Sequence, residues 1–104
     1  MSRPHVEILS FDGCPSAGAA RELVASIAVE LGLDPQINLL DVSDNEQAAR
    51  LRFLGSTTVR IGGRDVEPGA DSHTNYVLSC RLYRSDEGPR GLPRREWIVE
   101  AFSR

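Results

Sequence analysis

The chain opens on an alternating stretch. Residues 5–11 read His-Val-Glu-Ile-Leu-Ser-Phe, and the apolar positions Val6, Ile8 and Phe11 mark a strand. Asp12-Gly13 breaks it. From Pro15 the period changes. Ala20, Leu23, Val24, Ile27, Ala28 and Leu31 recur at the spacing of one helix face, and Gly32 stands where a helix C-terminal glycine belongs. Residues 36–42, Gln-Ile-Asn-Leu-Leu-Asp-Val, predict a second strand. Ser43 followed by Glu46 has capping-box spacing and predicts the start of a second helix. Ala48, Leu51 and Leu54 form its buried face and Gly55 ends it. Thr57–Ile61 and Arg64–Val66 are extended runs joined by Gly62-Gly63, a hairpin signal. Residues 67–79 are rich in turn formers, Cys80–Tyr83 reads as either a short strand or a helical turn, and residues 85–92 form a polar Gly/Pro loop. Pro93 is expected at a first helical position, followed by Trp97, Ile98, Ala101 and Phe102 at helical spacing.

The order is β-α-β-α-β-β-α. The first β-α-β unit implies a parallel strand pair with a right-handed crossover, and the Gly-Gly hairpin implies an antiparallel edge. The expected fold class is α/β: a mixed four-stranded sheet with flanking helices. A length of 104 residues fits one domain, 1–104, with one core.

Composition narrows the chemistry. The net charge of -3 argues against a nucleic-acid partner, which needs a basic face. All 12 basic residues are Arg, which excludes a Schiff-base or P-loop lysine. Two cysteines, Cys14 and Cys80, are too few for a disulfide-dense secreted scaffold. No apolar run reaches membrane-span length, and Met1–His5 lacks the apolar core of a signal peptide. The expectation is a cytoplasmic chain with no membrane partner and no cofactor. In that compartment a cysteine is more often reactive or buried than disulfide-bonded.

Cys14 lies in Phe11-Asp12-Gly13-Cys14-Pro15, between a strand and a helix N-terminus. Unpaired helix N–H groups and the positive end of the dipole stabilise a thiolate there, so its pKa is expected below that of free cysteine. Pro15 is tolerated because the first helical N–H has no partner anyway. The bland alternative is a small buried hydrophobe closing the junction.

With its strand-helix Cys-Pro pair, its second β-α unit, its Gly-Gly hairpin and its final helix, the chain resembles the thioredoxin/glutaredoxin superfamily. The stretches 11–15, 55–69 and 79–84 resemble a small bacterial thioredoxin-like group found beside, or labelled as, alkylmercury lyases. The resemblance implies a thioredoxin-like fold, a catalytic Cys14, and substrate contacts from Pro15, Ser56, Thr57 and Thr58. The chain departs from the superfamily pattern twice. The tetrad Cys14-Pro15-Ser16-Ala17 has Ala17 at the resolving position, so no adjacent dithiol forms. Thr57 stands where the superfamily has a cis-proline. A cis bond before a non-proline residue costs about 3–4 kcal/mol, so the expectation is a trans peptide before Thr57, or a strained one.

The missing neighbour raises the interest of Cys80, either as a distant resolving thiol helped by Arg81 or as a buried apolar cysteine between Leu78 and Leu82. Asp12 is either a proton relay or a turn residue with Gly13. Gly69, Asp71 and Ser72 match a glutathione-binding turn only loosely. Arg60 and Arg64 are either forks for a carboxylate or oxyanion, or solvated. His5 and His73 share no metal-ligand spacing. Three functions stay open. One is a thiol-disulfide oxidoreductase acting on a disulfide or thiol substrate. The second is a thiolate that binds a soft metal or cleaves an organomercurial. The third is a non-catalytic adaptor that keeps the fold.

Overall fold

A computed structural model describes residues 3–11, 16–70, 76, 83 and 91–103. Its elements are β1 (His5–Ser10), α1 (Ser16–Glu30), β2 (Gln36–Asp41), α2 (Asn45–Leu51), β3 (Thr58–Ile61), β4 (Arg64–Asp65) and α3 (Arg95–Ser103). The strands form one four-stranded mixed sheet in the order β2-β1-β3-β4. β1 and β2 are parallel, in register from His5↔Gln36 to Ser10↔Asp41. β3 runs antiparallel to β1, from Val6↔Ile61 to Leu9↔Thr58, and β4 antiparallel to β3. The α/β class, the element order and the mixed sheet agree with the reading of the sequence.

Residue parity on the central strand builds the core. Val6 and Ile8 face one side, where they meet Val59 and Ile61 of the sheet, Ala20, Val24 and Ile27 of α1, and Ile98 and Ala101 of α3. Leu9 faces the other side, where it packs with Val42, Ala48 and Phe53 under α2. Successive side chains of a strand point to opposite faces, so Phe11 joins the Leu9 cluster and not the Val6/Ile8 face. β1 is thus covered on both faces, which is why its sequence is nearly continuously apolar from Ile8. An ion pair between Arg95 and Glu30 links α3 to α1 at the surface.

The termini of α1 and α2 show what the sequence pattern reads well and what it misses. Gly32 has φ +70. Around it, Leu33 N–H donates to Ala28 O at 2.8 Å and Gly32 N–H to Val29 O at 3.1 Å, the paired bonds that close a helix over a left-handed glycine. Leu31 follows the last helical residue, Glu30, and is 41% exposed, so it drops out of the predicted face.

α2 is capped by Asp44 rather than Ser43. Asp44 Oδ1 accepts the Gln47 N–H at 2.7 Å, and Gln47 Oε1 accepts the N–H and hydroxyl of Ser43. The helix stops at Arg52, not Gly55. Arg52 adopts left-handed backbone (φ 56, ψ 45) and donates to the carbonyls of Ala48 and Ala49. Phe53, immediately after, is fully buried.

The β3–β4 turn has Gly62 and Gly63 at φ +64 and +82, a two-residue hairpin loop that needs positive φ at both positions. At the start of α3 the Arg94 carbonyl accepts the Trp97 and Ile98 N–H groups, so Arg94 is the cap and Pro93 precedes it. No described helix is long and apolar enough to cross a membrane.

Candidate functional site

β1 ends at Ser10 and α1 begins at Ser16. Asp12, Cys14 and Pro15 fall in this connection and lie outside the described residues, as does Cys80. What the structure describes is the other side of the same sheet end. Because Thr58 pairs with Leu9, the chain enters β3 beside the carboxyl end of β1. In open α/β sheets ligands bind at the carboxyl ends of the parallel strands.

The turn into β3 is Gly55-Ser56-Thr57-Thr58. Its Ser56–Thr57 peptide is cis, where the sequence predicts a trans peptide or a strained one, and Gly55 has φ +113. Thr58 Oγ1 donates to the Gly55 carbonyl at 2.7 Å, across the cis peptide. Tyr83 Oη donates to the Thr57 carbonyl at 2.5 Å. Side-chain hydrogen bonds thus engage the Gly55 and Thr57 carbonyls on either side of this peptide.

Ser56, Thr57 and Thr58 are all buried, at 2%, 0% and 0% exposure. The Ser56 and Thr57 hydroxyls have no hydrogen-bond partner among the described residues. The hydroxyls of Ser56 and Thr57 are thus closed off from solvent. The sequence marks Tyr83 only as part of a short strand or helical turn. It is fully buried, and its ring lies 6.1 Å from that of Trp97. An apolar body with a polar tip is the signal that marks such a residue.

A second concave region lies along the β4 edge. It is a cleft of about 520 Å³ between the C-terminal end of α2, the β3–β4 hairpin and α3. Arg60 and Arg64 both line it, but they are not equivalent. Arg60 Nη2 donates to the carbonyls of Leu51 and Arg52, each at 2.6 Å, so this half-buried guanidinium caps α2 instead of waiting for a ligand. Arg64 is exposed. Pro68 and Gly69, the latter at φ +80, occupy the two central positions of a type II turn closed by Ala70 N–H to Glu67 O at 3.2 Å. Asp71 and Ser72 lie outside the described residues.

His5 is exposed on β1, and His73 lies outside the described residues. Among the described residues no three His, Cys, Asp or Glu side chains gather into a set that could hold a metal ion. Compared with known proteins, the chain matches no family model, no curated protein and no solved structure.

Proposed function

We propose that the chain is a thioredoxin-like thiol-disulfide oxidoreductase that works through a single nucleophile, Cys14, with Cys80 as the resolving thiol. The observation that carries the reading is the sheet. A parallel β1-α1-β2 unit joined to an antiparallel β3–β4 pair is what the superfamily resemblance implies. In it, the connection containing Cys14 leaves the carboxyl end of β1, beside the Ser56–Thr58 turn. Tyr83, three residues after Cys80 in sequence, bonds to that same turn.

The Cys14 thiolate attacks one sulfur of a substrate disulfide. A Cys14–substrate S–S bond forms, the substrate S–S bond breaks, and the other substrate sulfur leaves as a thiolate. The Cys80 thiolate then attacks the Cys14 sulfur and expels the second substrate thiolate. The substrate gains two electrons, the protein holds a Cys14–Cys80 disulfide, and an external dithiol reduces it for the next cycle.

The rate of Cys14 alkylation against pH tests the first step. The expected midpoint lies clearly below the value of about 8.5 for free cysteine; a midpoint at or above that value overturns the reading. Intact mass and peptide mapping after oxidation test the second. The expected product is an internal Cys14–Cys80 bond, lost in Cys80→Ser together with multiple turnover. Full turnover by Cys80→Ser removes Cys80 from the mechanism.

A further inference from the structure

The β4 cleft is lined by none of Ser56, Thr57 and Thr58. We propose that it is a binding site for a small aromatic carboxylate, held by the guanidinium groups of Arg52 and Arg64 with its ring near Trp97. Its volume of about 520 Å³ is that of a small-molecule pocket. Val66, Ala70 and Ala101 line it and are 4%, 2% and 5% exposed, so it has an apolar floor.

The charged groups on its walls differ in what they already bind. Arg60 is engaged by the two α2 carbonyls, and Asp65 accepts the Glu67 N–H. Arg52 and Arg64 line the same cleft, and among the described residues neither guanidinium has a hydrogen-bond or ion-pair partner. Two unpaired guanidinium forks beside an apolar floor suit a planar oxyanion carried on an apolar body. Glu100 lines the cleft too, and its negative charge penalises a dianion more than a monoanion, which favours a carboxylate over a phosphate.

Trp97 is the only tryptophan of the chain, so it gives one indole N–H signal. The test is a titration of the full-length protein with 2-naphthoate, followed by nitrogen-15 NMR. The expected result is a saturable shift of that signal. The uncharged analogue 2-naphthamide is expected to bind about tenfold more weakly, and so is naphthoate to the double variant Arg52→Asn with Arg64→Gln. Asparagine is chosen at position 52 because it tolerates left-handed backbone. Arg3→Gln, an exposed arginine away from the cleft, is expected to leave binding unchanged. Cys14→Ser is expected to bind as the parent does, which separates this site from the thiol reading. No saturable shift up to about 10 mM naphthoate, equal binding of the amide, or unaltered binding by the double variant overturns the proposal.

Discussion

Tyr83 donates its phenolic proton to the carbonyl of Thr57, 26 positions earlier in the chain, at 2.5 Å. Both residues are fully buried. The bond ties a stretch with no helical or strand period to the turn that starts β3. Tyr83→Phe keeps the ring and removes only the donor. It leaves a buried carbonyl without this partner, at an expected cost of about 1–3 kcal/mol. A urea denaturation with unchanged slope and a lowered midpoint is the expected result. An unmoved midpoint would show that the bond contributes nothing in solution.

Arg60 supplies α2 with donors that its own sequence lacks at the C-terminus. Arg60→Gln is expected to destabilise the fold by roughly 1.5–3 kcal/mol, as hydrogen bonds from a charged donor do. It is also expected to speed amide hydrogen exchange in the last turn of α2 selectively. Arg50→Gln, an exposed residue in that same turn, serves as the comparison and is expected to change stability by less than about 0.5 kcal/mol.

Gly62 tests the hairpin. A Cβ built there meets nothing within 4 Å, so substitution is limited by backbone conformation alone. Gly62→Asn makes the favoured Asn-Gly turn and is expected to fold with near-parental stability. Gly62→Val at φ +64 is expected to lose roughly 1–2 kcal/mol or more, because a branched Cβ crowds the carbonyl in left-handed backbone. Thermal melting of the pair distinguishes them; equal melting temperatures would contradict the positive-φ turn.

Phe53 and Leu54 divide the labour at the end of α2. Phe53 is fully buried in the Leu9 cluster, whereas Leu54 is half-buried and lines the β4 cleft. Phe53→Ala is expected to cost about 3–5 kcal/mol, a large share of the stability of a small domain. Leu54→Ala is expected to cost clearly less. The reverse order in chemical denaturation would return the buried face to the Ala48-Leu51-Leu54 spacing.

That last contrast shows where sequence reading works in this chain. Local rules held where the cause is local. Gly32 closes α1 because a glycine accepts left-handed backbone, and Gly62-Gly63 turns the hairpin for the same reason. The alternation of Val6 and Ile8 is set by the pleat of β1 and reads directly.

The rules failed where a distant group decides. α2 ends at Leu51, well before Gly55, because the Arg60 side chain, from the next strand, satisfies its last carbonyls. At the other end of the helix the deciding groups are local: it starts one residue late because Asp44 and Gln47 outcompete the Ser43–Glu46 spacing. Leu39 fits a buried strand by type, yet β2 is an edge strand and leaves it 56% exposed.

At the candidate site, the sequence singled out Ser56–Thr58 through a resemblance, and the structure shows a buried turn there. It gave no hint of Tyr83 as the partner of Thr57, since no periodicity connects residues 26 positions apart. Asp12, Cys14, Pro15 and Cys80 lie outside the described residues, and their roles belong to the proposal above.

An inner strand of the sheet, β1, precedes the other three in the chain. β1 needs Gln36–Asp41 on one edge and Thr58–Ile61 on the other. On a ribosome, the apolar residues Val6, Ile8 and Leu9 therefore emerge long before either neighbour exists. Its second edge stays open until Thr58–Ile61 has been made. Sequence-distant pairing of this kind slows folding and exposes the early strand to unwanted partners. The hairpin at Gly62-Gly63 is the one local pairing in the sheet, which makes it the natural template on which the waiting strand is captured.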